Sequence, residues 1–81
     1  MKFRKKPVVI EAQLFRNALS GLEIAKWCNG QFENRGDECF ILIRTLEGNH
    51  LATMGDWVIK GVKGEFYPCK PDIFKLTYEK V

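Results

Sequence analysis

Close cysteine pairs are missing from this sequence, histidine occurs once, and no apolar run is long enough for a signal peptide or a membrane span. Each absence closes off a class of protein. Cys28, Cys39 and Cys69 form an odd set without short spacing, unlike the disulfide framework of a small secreted domain. A zinc site usually needs at least one close ligand pair on a turn, and Cys28, Cys39, His50 and Cys69 offer none. A chain with no apolar segment and no cysteine framework is expected to be cytoplasmic, with reduced thiols and no membrane partner. His50 alone would have to meet a cysteine across a sheet to make a dyad, and no nucleophile elbow or cysteine-protease signature surrounds any candidate. Asp56 and Glu65 could face each other across a hairpin as an acid–base pair, but such carboxylates more often cap turns or pair with lysines. The expectation is no catalytic residue, no metal and no cofactor.

What remains is an ordinary globular composition. Of 81 residues, 46% are hydrophobic and 28% charged, with a net charge of +3, which fits a single domain over 1–81 rather than a disordered chain. Residues 1–6 form a basic lead-in, with Lys2, Arg4, Lys5 and Lys6 around Phe3. Pro7 opens a β-branched run from Val8 to Phe15 that alternates like a strand. A helix is expected from about Ser20 to Cys28. Ser20 and Glu23 have capping-box spacing, Leu19 and Ile24 have staple spacing, and Leu22, Ala25 and Cys28 form the buried stripe. Gly30 supplies the left-handed residue that ends it. Phe32 marks a short strand, and Gly36-Asp37 a turn. Cys39 to Thr45 is apolar on both faces, as in a central strand that needs a cover on each side. Glu47 to Asn49 turns the chain into a strand from His50 to Met54. The last elements are one helical turn at Lys70–Phe74, with Pro71 at its first position, and a final strand over Lys75–Glu79. The fold class is therefore α+β, one helix packed on a curved, mainly antiparallel sheet.

The chain's turn residues and lysines gather in Gly55 to Phe74. Asp56–Lys60 and Glu65–Cys69 read as two strands joined by the hairpin loop Gly61-Val-Lys-Gly64, which lacks phosphate-loop spacing and a following helix. Pro68 and Pro71 place the second strand at an edge or an end. Lysines Lys60, Lys63, Lys70 and Lys75 alternate with Trp57, Phe66, Tyr67 and Phe74. Lysines neutralise phosphate and aromatic faces stack on bases, each stack contributing about 1–3 kcal/mol. Phe66 and Phe74 read as core. Trp57, Lys60, Lys63, Tyr67 and Lys70 are the candidate ligand- or partner-binding residues.

The same residues carry a family resemblance. Lys5-Lys-Pro-Val-Val-Ile-Glu-Ala12, Ala25-Lys-Trp-Cys-Asn-Gly30, the string from Gly55-Asp-Trp to Pro71-Asp-Ile-Phe74, and Thr77-Tyr-Glu79 resemble a widespread group of small phage and prophage proteins. Met54 stands where many of those proteins have proline. The resemblance covers nearly the whole chain and brings no catalytic residues with it. It implies a phage-encoded product acting in the cytoplasm of an infected or lysogenic bacterial host. The working function it suggests is counter-defence without catalysis, by stoichiometric binding of a host defence protein or by sequestration of a small nucleotide ligand. Alternatives are nucleic-acid binding through the basic arm and sheet, and an accessory virion role. The doubly apolar Cys39–Thr45 strand in so short a chain adds the expectation of a homo-oligomer.

Overall fold

The computed structural model describes every residue from Met1 to Val81. In chain order the elements are β1 (Glu11–Leu14), α1 (Ala18–Trp27), β2 (Gln31–Arg35), β3 (Glu38–Thr45), β4 (Gly48–Thr53), β5 (Trp57–Lys60), β6 (Phe66–Cys69) and α2 (Pro71–Thr77). The architecture is α+β, but the expected single curved sheet is two antiparallel three-stranded sheets, ordered β1-β5-β6 and β2-β3-β4. The division arises at Gly55 and Asp56. Gly55 adopts φ 97°, open to glycine at little cost. Its N–H donates to the Phe15 carbonyl at 2.8 Å, and the Phe15 N–H donates to the Asp56 carbonyl at 2.9 Å. These two bonds lead the chain off β4 and onto β1.

The core lies between the inner faces of the two sheets, with α1 packed against it. Phe15 from the end of β1, Ile24, Ala25 and Cys28 from α1, Cys39, Ile41 and Ile43 from β3, Ala52 from β4 and Val58 from β5 form one buried cluster. Cys28 is a small core residue, as its place in the helical pattern suggests. Trp27 meets Phe66 of β6 edge-on at 5.0 Å, tying α1 to the first sheet. The outer face of β3 carries Phe40 and Leu42, both half-buried, beside Leu51, which is 57% exposed.

Five local expectations are corrected. α1 begins earlier than Ser20: Asn17 is its N-cap, and its side chain accepts from the Ser20 N–H at 2.9 Å while Ser20 Oγ accepts from the Asn17 N–H at 3.0 Å. Asparagine caps as well as serine, and the earlier start gains most of a turn. The stripe then shifts to Gly21, Ile24, Ala25 and Cys28, while Leu19 and Leu22 are exposed, so the staple does not form. At the other end the left-handed residue is Asn29, with φ 54°, rather than Gly30. The strand expected from Val8 begins only at Glu11, because its partner β5 ends at Lys60, opposite Glu11. The final strand over Lys75–Glu79 is not formed, and α2 continues through Thr77 instead. Pro71 in the first turn and Asp72 beside the helix N-terminus favour that helix. No helix of the chain is long and apolar enough to cross a membrane.

Candidate functional site

The hairpin β5–β6 sorts the expected binding residues by the alternation of its strands. The register pairs Trp57 with Cys69 and Ile59 with Tyr67, so Trp57 and Tyr67 share the face turned away from the core. Lys60 is opposite Phe66 and Glu11, on the other face. Lys63 stands exposed in the loop. Lys70 is engaged within the chain: its Nζ lies 3.1 Å from Asp56 Oδ1, and the Asp56 side chain is only 4% exposed. Asp56 Oδ2 also accepts from the Thr53 N–H at 2.9 Å. Trp57 and Tyr67 thus share a face, without Lys60, Lys63 and Lys70 converging on them.

The outer face of the hairpin has a cover that the sequence reading missed. Phe74 of α2 stacks on Trp57 at 4.2 Å between ring centroids and 7° between planes. Tyr78, which follows the helix, tilts against Phe74 at 5.1 Å and brings its hydroxyl within 3.4 Å of the Tyr67 hydroxyl. Trp57, Phe74, Tyr78 and Tyr67 form one aromatic row. The signal was available: Phe74 and Tyr78 are four residues apart, the spacing that puts two side chains on one helical face. Reading Lys75–Glu79 as a strand hid it.

Beside this row runs an open groove of about 610 Å³ between the N-terminal segment and the C-terminal residues. Tyr67 and Tyr78 line it, with Lys5 and Lys6 from the arm and Glu65 and Glu79 from the opposite rim. A second hollow of about 380 Å³ continues it over Trp57 and Phe74. Val8, Val9 and Ile10 line both. Burial, then the hydrogen bond to Tyr78, pushes the Tyr67 phenol up to about 12, so at neutral pH it is a neutral hydroxyl able to donate or accept.

The acid–base and nucleophile candidates of the sequence are not brought together. Asp56 and Glu65 lie at opposite ends of the hairpin, Asp56 beside Lys70 and Glu65 accepting from the Lys63 N–H at 3.1 Å. His50 is exposed on β4, while Cys28 and Cys39 are buried in the core. Burial raises the Cys28 and Cys69 thiols, and Asp56 and Asp72 raise Cys69 further, which disfavours the nucleophilic thiolate. No three metal-ligating side chains come together. Compared with known families, with curated proteins and with solved structures, the chain matches none.

Proposed function

We propose that this chain is a non-catalytic binding protein of phage or prophage origin that acts in counter-defence by sequestering a small nucleotide. The observation that carries the reading is the groove over the aromatic row. A nucleotide needs a flat apolar surface for its base, donors and acceptors for base and sugar edges, and a cation for phosphate. Tyr67 and Tyr78 supply rings and hydroxyls, Glu79 an acceptor for an exocyclic amine, and Lys6 the charge. Stoichiometric capture requires this surface and no turnover. The resemblance of the Gly55–Phe74 string to small phage proteins supports the origin, and counter-defence is a task that binding alone can perform.

Calorimetric titration with linear and cyclic purine nucleotides tests the proposal. Saturable, stoichiometric uptake is expected, with the ligand recovered unchanged after denaturation. Lys6→Glu should weaken binding by about tenfold, the loss of one charge-assisted contact, without changing the melting temperature. No uptake of any nucleotide at millimolar concentration overturns the reading in favour of a host protein as the bound component. The exposed Lys2, Arg4, Lys5 and Lys6 also make the arm a candidate for nucleic acid. Binding of single-stranded DNA that falls steeply with added salt, with no nucleotide uptake, would assign the arm that role instead.

A further inference from the structure

We infer that Lys70, anchored on Asp56, is the positioning residue that holds the C-terminal wall of the groove in place. Its effect on ligand uptake rests on the nucleotide reading, whereas its effect on the wall does not.

One side of the groove hangs from a short helix. Tyr78, Glu79 and Val81, which line both hollows, follow directly on α2, and Thr77, which lines the larger one, is its last residue. α2 has seven residues and buries none of them, so it depends on whatever grips it from outside. Three grips are present. Phe74 stacks on Trp57, and the Tyr78 hydroxyl lies 3.4 Å from that of Tyr67. The third is at the start of the helix, where Lys70 is the N-cap residue and its carbonyl accepts from the Phe74 N–H at 2.8 Å. The Lys70 side chain makes no cap bond and reaches back instead, its Nζ 3.1 Å and 3.3 Å from the two Asp56 carboxylate oxygens.

The two ends of this ion pair differ in freedom. The Asp56 side chain is 4% exposed, and its Oδ2 also accepts from the Thr53 N–H at 2.9 Å and the Thr53 hydroxyl at 3.3 Å. Its backbone is fixed as well, by the Thr53 carbonyl at 3.0 Å and the Phe15 N–H at 2.9 Å. A buried carboxylate held on all sides is a rigid post that still needs a cation. The Lys70 side chain, 61% exposed, is the member that can leave. The side on which it is held matters. Trp57 faces Cys69 in the hairpin register, so Asp56 and Lys70 are the next pair, at its open end and on the core face. α2 lies on the opposite face, over Trp57. Pinning the Lys70 side chain to one face fixes the rotation of that residue, and with it the direction in which α2 departs across the other.

Two readouts test the role: Trp57 emission in the free chain, and calorimetric titration with adenosine monophosphate. Lys70→Met keeps most of the stem and removes the charge. It should shift the emission to the red and, with the wall in place in about a tenth of molecules, weaken uptake about tenfold. Lys70→Arg, which keeps the cation, should retain both parent values. Lys70→Met also strands the Asp56 charge and lowers stability. Asp56→Asn combined with Lys70→Met removes that charge while the amide oxygen still accepts from the Thr53 N–H. This double variant should recover the melting temperature but neither the emission nor the affinity. Parent emission in the folded double variant would mean that the pair serves stability alone and would overturn the inference, as would unchanged emission in Lys70→Met. Shifted emission in a protein whose parent takes up no nucleotide would uphold the positioning role and sink the nucleotide reading instead.

Discussion

Gly30 sits where a methyl group would meet the Leu42 carbonyl oxygen at 2.6 Å and Cys28 Sγ at 3.0 Å. Its role is close approach rather than a left-handed angle, since Asn29 takes that angle. A backbone carbonyl inside a sheet cannot step aside as a flexible side chain can. Gly30→Ala should therefore cost about 2 kcal/mol in chemical denaturation, with the β2–β3 pairing the first to loosen. Tyr67 predicts a pH dependence of definite sign. Its phenol is raised from 10.0 to about 12, so the folded state holds its proton more tightly than the unfolded state does. That stability is fully present below pH 10 and disappears as pH rises through about 12. Tyr67→Phe has no proton to lose. The difference in melting temperature between parent and variant should shift in the variant's favour across this window, and an unchanged difference would contradict the assignment.

The elements add two tests. α1 is capped by Asn17 and Ser20, with no part for Glu23. Asn17→Ala should cost about 1 kcal/mol, whereas Glu23→Ala should stay within about 0.5 kcal/mol in urea unfolding. The reverse order would restore Ser20 as the cap. α2 has no fully buried residue and is held largely through Phe74 on Trp57. Phe74→Ala removes a parallel stack and its apolar contact, with an expected loss of about 2 kcal/mol. Fluorescence gives a second readout. Trp57 should become solvent-exposed and shift the emission to the red, while Trp27, set against Phe66, should not change.

For the whole molecule the decisive feature is how little of the N-terminal arm belongs to the folded body. Met1 to Val9 is exposed throughout and forms no helix or strand. Removing Met1–Lys6 should leave stability within about 0.5 kcal/mol, measured by thermal melting. The same truncation removes Lys5 and Lys6 from the groove. It should therefore abolish nucleotide uptake in a chain that still folds. A truncated chain that binds at full strength would place the binding surface elsewhere.

Local chemistry determined what the sequence could show. Alternation placed β3, β4 and the β5–β6 hairpin, the glycine-bounded loop was legible at Gly61–Gly64, and helical spacing located α1. Its start was read at Ser20, whereas the cap is Asn17, three residues earlier, because capping strength alone does not choose between two competent residues and core packing does. Tertiary structure decided the rest. Whether Val8–Ile10 is a paired strand depends on where β5 ends, a fact held in another part of the chain. Whether Lys75–Glu79 is strand or helix turned on Trp57 offering its face to Phe74, a contact between residues distant along the chain. The hairpin lysines were visible as charges, but only the fold sets Lys70 against the buried Asp56 and brings Lys6 to Tyr67. Residue types and spacings are local, whereas the side of a sheet and the neighbour across a groove follow from how distant segments pack.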